Sequence, residues 1–203
     1  MDFDLERVKS TLAKLDWYNS EGYRLRLPKG IHKKSSDAEI HNQIVKEFNS
    51  KKCEEMAQQF TSDFSIIKKE LYKKLEKIFN KNIPTTFFVY LTNYGVGGSY
   101  KLPDKIILNI NNKKGFKTII HEIAHLIIEP WIQKYKVKHE EKERIVDLIL
   151  NSRKFNFLKY NHWQENYRHV EEYIDSLFKQ YFFKNPEKFF SKIDEARCLA
   201  NNN

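Results

Sequence analysis

Phe116-Lys117-Thr118-Ile119-Ile120-His121-Glu122-Ile123-Ala124-His125-Leu126-Ile127-Ile128 is the stretch that decides how this chain folds. Apolar residues surround the two histidines at helical spacing, so the stretch reads as a buried helix, with Pro130 expected to stop it. Residues four apart on a helix share a face. His121 and His125 can therefore direct ring nitrogens at one metal ion, while Glu122 points beside it toward a water that the ion would activate. The bland alternative is two hydrogen-bonded core histidines. It is disfavoured because a buried His-Glu-His cluster without a metal carries a desolvation cost with nothing to offset it.

A mononuclear catalytic zinc takes three protein ligands and keeps one position open. The chain supplies His139, Glu140, Glu141, Glu143 and Asp147 shortly afterwards, on a segment whose Ile145, Val146, Leu148 and Ile149 mark a second helix. Glu143 and Asp147 lie four apart, so one can bind metal while the other accepts the free N–H of a ligating histidine. His139 lies four residues before Glu143, on the same side if the helix begins that early. It remains open as a third ligand, an oxyanion-stabilising residue or a solvent-facing residue at a helix start.

This arrangement resembles the gluzincin branch of the zincin metallopeptidases, the thermolysin-like group, in a minimal stand-alone form. The likeness covers about residues 85 to 150. It implies His121, His125 and Glu143 as zinc ligands, Glu122 as general base, and Asp147 as the support of His121. The spacing from His125 to Glu143 is a little shorter than in the large members.

Between Pro84 and the metal helix the period changes from helix to strand. Thr85 to Leu91 and Lys105 to Ile110 are rich in β-branched and aromatic residues and read as strands. They flank Gly95-Val96-Gly97-Gly98-Ser99-Tyr100. In zincins an edge strand beside the cleft pairs with extended substrate, and the analogous residues are Val96, Gly97, Gly98, Ser99 and Tyr100. The plain alternative is a glycine-rich turn. A phosphate-binding loop is poorly supported, because no Lys-Ser/Thr follows the glycines and the next element is a strand.

The flanking regions read as helical. Leu5, Val8, Leu12 and Leu15 mark a first helix, and Tyr23 to Leu27 a short strand or extended connection. Ser36 and Glu39 have capping-box spacing ahead of a helix from Asp37 to Asn49. Separate helical faces follow over Lys51 to Phe60 and over Ile66 to Phe79. Trp163, Tyr167, Val170, Ile174, Leu177, Phe178 and Tyr181 outline a C-terminal helix that Pro186 interrupts before a last one. Residues 155 to 190 hold 12 of the 29 aromatic residues, and their helical spacing points to a packed interior. Tyr160, His162, Tyr167 and His169 are candidates to stabilise an oxyanion, with Tyr167 and His139 taken forward as catalytic. The expected organisation is a helical region over 1–83, a zincin-like core over 84–151 and a helical region over 152–203, packed as one compact α+β unit.

Composition narrows the surroundings. The 203 residues can bury a real core, and the net charge of +9 is spread along the chain. That charge leaves nucleic-acid binding an unlikely second role beside a peptide or protein substrate. No apolar run spans a bilayer, and Met1 to Glu6 lacks a basic-then-apolar leader, so no membrane and a cytoplasmic location are expected. Cys53 and Cys198 form neither a disulfide framework nor a thiolate motif. The residues together predict a zinc-dependent peptidase. The competing readings are a non-peptidase metal hydrolase, a zinc-stabilised peptide-binding or regulatory protein, and a DNA-associated protease.

Overall fold

The computed structural model describes residues 2–79, 83–84, 86–112, 114–164 and 171–200. The architecture is α+β, with a three-stranded mixed sheet, the two histidines on one helix, Glu143 on the next, and helices on both sides in sequence. The chain divides into two compact units. One comprises Met1–Phe64 with Phe87–Glu122, the other Ser65–Thr86 with Ile123–Asn203. The boundary crosses two continuous helices, α4 (Ser50–Phe79) and α5 (Gly115–Lys134).

In the first unit the sheet has the order β1-β3-β2, where β1 is Phe88–Thr92, β2 is Gly98–Lys101 and β3 is Lys105–Asn109. β1 runs parallel to β3, and β2 antiparallel to it. The Asn109 N–H donates to the Gly97 carbonyl at 3.1 Å, and the register places Gly98 opposite Leu108. Hydrogen-bonded and non-bonded pairs alternate in an antiparallel ladder. Ser99 therefore pairs inward with β3, while the N–H and C=O of Gly98 and Tyr100 point to the outer edge. The sheet edge begins at Gly98, and Val96 is buried rather than part of it.

The N-terminal helices hold the segment that leads into this edge. Val8 and Leu12 of α1 (Asp2–Ala13) pack with Ile40 and Ile44 of α3 (Asp37–Glu47) around Tyr94. The Tyr94 hydroxyl donates to Glu47 at 3.2 Å, and the Thr92 hydroxyl donates to Asp4 at 2.5 Å. The expected Ser36/Glu39 capping box is present. A short α2 (Leu15–Ser20) follows α1, and Tyr23 to Leu27 forms no strand. It contributes a single bridge, with Arg26 and Gly95 exchanging backbone bonds of 3.1 and 2.7 Å.

Two expectations about helix limits are corrected. Lys51 to Phe60 and Ile66 to Phe79 belong to the single 30-residue α4. No Gly or Pro interrupts it, and the Thr61 hydroxyl satisfies the Ala57 carbonyl one turn back. Pro130 does not stop α5, which continues to Lys134. Burial of Ile132 and stacking of Trp131 on Phe190, with ring centroids 5.7 Å apart, hold the last turn despite the missing donor. The helix ends where Lys136 adopts φ +48° and the Val137 N–H returns to the Ile132 carbonyl at 3.0 Å.

The second unit carries α6 (His139–Asn151), α7 (Glu171–Leu177) and α8 (Pro186–Ala200). Trp163 lies before α7 in a non-helical stretch, so the single C-terminal helix drawn through it is not formed as expected. Instead a 3-10 turn spans Arg153–Leu158, and a π-helical turn spans Phe178–Phe182. Phe178, Phe182, Phe189 and Phe190 are buried against one another, as the helical spacing of the aromatics implied. Pro186 opens α8, where its missing N–H costs nothing.

Candidate metal centre

Ile119 to Ile128 of α5 is buried without interruption, so the helix is enclosed all round and its polar side chains are interior groups. His121, Glu122 and His125 are 8%, 6% and 2% exposed. On α6 the apolar face of Ile145, Val146, Ile149 and Leu150 faces inward together with Glu143 and Asp147. His121, His125 and Glu143 each offer a ligand atom within 4.8 Å of the others. His125 Nε2 lies 3.3 Å from Glu143 Oε2.

That separation fits a metal. Two ligand atoms about 2.1 Å from one tetrahedral ion lie about 3.4 Å apart. Two imidazoles and one carboxylate are a donor set suited to zinc, with one position left for water or substrate. The group is therefore a candidate metal site of His-His-Glu type.

A buried carboxylate elsewhere in the same helix shows the contrast. Glu141 is 1% exposed, yet it accepts the Lys138 N–H at 2.8 Å and the Tyr173 hydroxyl, and it faces Arg197 at 3.8 Å. Burial, then the bond to Glu141, pushes the Tyr173 phenol upward. Glu141 is thus balanced by a cation and two donors from the protein. Glu143 accepts the Gln164 side chain and converges with the imidazoles of His121 and His125.

Gln164 ties this centre together and was missed in the sequence. Its backbone N–H donates to Asp147 Oδ2 at 2.6 Å, and its side-chain Nε2 donates to Glu143 Oε2 at 2.6 Å. Asn151 holds the preceding backbone, donating to the His162 carbonyl at 2.6 Å and accepting the His162 N–H at 3.3 Å. No spacing rule connects Gln164 to residues 17 and 21 positions earlier, so only the fold reveals it.

The other sequence candidates fall as follows. His139 opens α6, is one-third exposed, and places Nδ1 3.8 Å from Glu143 Oε1; it is outside the three-residue metal group. Tyr160 is buried and its ring lies 5.9 Å from that of His162. Tyr167 and His169 lie outside the described residues. Gly98 is brought against the proposed base, since a Cβ built on it would lie 2.8 Å from Glu122 Oε1 and 2.3 Å from Thr118 Cγ2. A Cβ built on Gly97 would lie 2.6 Å from Asn112 Nδ2, and Ser99 and Tyr100 are half-buried on β2. No helix among the described residues is long and apolar enough to cross a membrane.

No protein-family model, curated protein or solved structure matches the chain.

Proposed function

We propose that the protein is a zinc-dependent peptidase, with His121, His125 and Glu143 as ligands, Glu122 as general base and Asp147 supporting His121. The observation that carries this reading is the buried His-His-Glu group with Glu122 between its histidines, and an edge strand of the sheet packed against that same glutamate. Bound zinc would polarise a scissile carbonyl and acidify a water. Glu122 takes the proton from the attacking water and returns it to the leaving amine. The outward N–H and C=O groups of Gly98 and Tyr100 hold an extended peptide by main-chain bonds, which sets register without demanding a particular side chain. His139 and Tyr167 are assigned to the developing oxyanion.

The deciding experiment combines metal analysis of the purified protein with cleavage of a peptide library. Wild type is expected to carry one zinc per chain and to cleave. Glu122→Ala is expected to keep the zinc and lose hydrolysis. A wild-type protein that binds no zinc, or that binds it and cleaves no peptide in the library, ends the peptidase reading.

A further inference from the structure

Two consecutive residues of α6 are held by two consecutive residues of the stretch ahead of α7. Glu143 accepts the Gln164 side chain at 2.6 Å, and the guanidinium carbon of Arg144 lies 4.7 Å from the ring centroid of Trp163. Neighbours on a helix are about 100° apart around its axis. The Trp163–Gln164 pair therefore straddles α6, with its amide on the side of the metal ligand and its indole on the side of Arg144. The bonds from Asn151 to the His162 backbone and from the Gln164 N–H to Asp147 lay the same stretch along the helix.

The guanidinium beneath the ring is itself fixed. Arg144 Nε and Nη2 bind the two oxygens of Asp175 on α7 at 2.8 and 2.7 Å, a bidentate pairing that locks the plane of the fork. The two side chains are 10% and 26% exposed, so the pair is shielded from the water and salt that weaken surface ion pairs. A planar cation held in this way offers its face to an aromatic ring. Trp163 is 43% exposed. With that much of it in water, the ring is placed by the face of Arg144 rather than by enclosure in a core.

We infer that Trp163 is a positioning residue for the ligand Glu143: it stacks on the Arg144 that Asp175 fixes, and so holds Gln164 where its amide orients the carboxylate. The inference rests on the metal centre of the proposed function and is independent of the peptidase step. It makes α7 part of the site, because Asp175 sets the guanidinium on which Trp163 rests.

Zinc affinity of the full chain, measured by competition with a chelator, tests this without any substrate. Trp163→Ala is expected to bind zinc about 5-fold more weakly, the scale of one exposed cation–π contact, and Trp163→Tyr, which keeps a ring face, to stay within about 2-fold of wild type. In the Gln164→Ala background, Trp163→Ala is expected to change the affinity by less than about 2-fold, because the group through which it acts is gone. Arg144→Lys keeps the charge beside Glu143 and gives up the planar fork, so it is expected to weaken zinc binding about as much as Trp163→Ala does, whereas a purely electrostatic role for Arg144 gives no change. Amide exchange at Gln164 in the metal-free protein is expected to quicken about 5-fold in Trp163→Ala. Where Trp163→Ala lowers the metal-free thermal midpoint, Trp163→Leu, which keeps apolar bulk, and Arg144→Lys carry the comparison. Equal losses from Trp163→Ala with and without Gln164, or a zinc affinity that ignores Trp163, overturn the inference and leave the metal centre standing. Wild-type protein that takes up no zinc removes the metal centre and this inference together. Zinc binding that shows the coupling, without peptide cleavage, keeps the inference and removes the peptidase alone.

Discussion

Gly98 and Glu122 stand so close that a single methyl group at Gly98 would lie 2.8 Å from the glutamate oxygen Oε1. Real Cβ atoms do not approach that near, so the strand edge and the proposed base can share this space only because residue 98 has no side chain. The Gly98→Ala variant must move either β2 or the carboxylate. Its kcat on peptides is expected to fall about 10²-fold, the scale of a 1 Å misplacement, with zinc content unchanged. The added methyl also meets Thr118 Cγ2 at 2.3 Å. Adding Thr118→Ser removes that contact and is expected to restore thermal stability but not kcat. Full kinetic recovery in the double variant would show that the strand, rather than Glu122, had been displaced.

The third ligand is decided by comparing Glu143 and His139. Glu143 is buried beside His125, whereas His139 is one-third exposed and 3.8 Å from Glu143. In competition with a chelator, Glu143→Ala is expected to bind zinc at least about 100-fold more weakly, and His139→Ala within about 10-fold of wild type. Equal losses in the two variants would place His139 among the ligands.

Gln164→Ala is expected to weaken zinc binding about 10–100-fold, the usual cost of removing a group that orients a ligand. The side-chain bond of 2.6 Å to Glu143 is lost, while the backbone bond to Asp147 remains. An unchanged affinity would mean that α6 alone orients the glutamate.

The parts of the fold that were legible in the sequence are those governed by local rules. His121 and His125 share a face because the helical period requires it, and Ser36 caps α3 through a three-residue pattern. The strands appeared as β-branched runs, within a few residues of their limits. Pro130 misled because a local rule was outweighed by packing, with Trp131 stacked on Phe190. The break expected inside α4 failed for the opposite reason, since a polar run without Gly or Pro lowers amphipathicity without ending a helix. Gln164 was invisible because it owes its role to neighbours distant in sequence. These are Glu143 and Asp147.

Metal binding should also register as stability, because a preorganised site exists only in the folded chain. The His-His-Glu group is buried, so the metal-free protein bears a carboxylate and two imidazoles taken out of water, while the loaded protein offsets them with a divalent charge. At free zinc about 100-fold above Kd, linkage gives about 2.7 kcal/mol. In a domain of this size that raises Tm by roughly 5–10 °C. Glu143→Gln separates the contributions. It removes the buried negative charge and keeps the amide's size, so the metal-free variant is expected to melt at or above the metal-free wild type. Its Tm should respond to zinc by less than about 2 °C, since a neutral amide is a poor ligand at the position of a carboxylate. Thermal unfolding of both proteins, with chelator and across a zinc series, measures each quantity directly. A wild-type Tm that ignores zinc, or a Glu143→Gln variant that responds as wild type does, would show that the buried carboxylate serves packing alone.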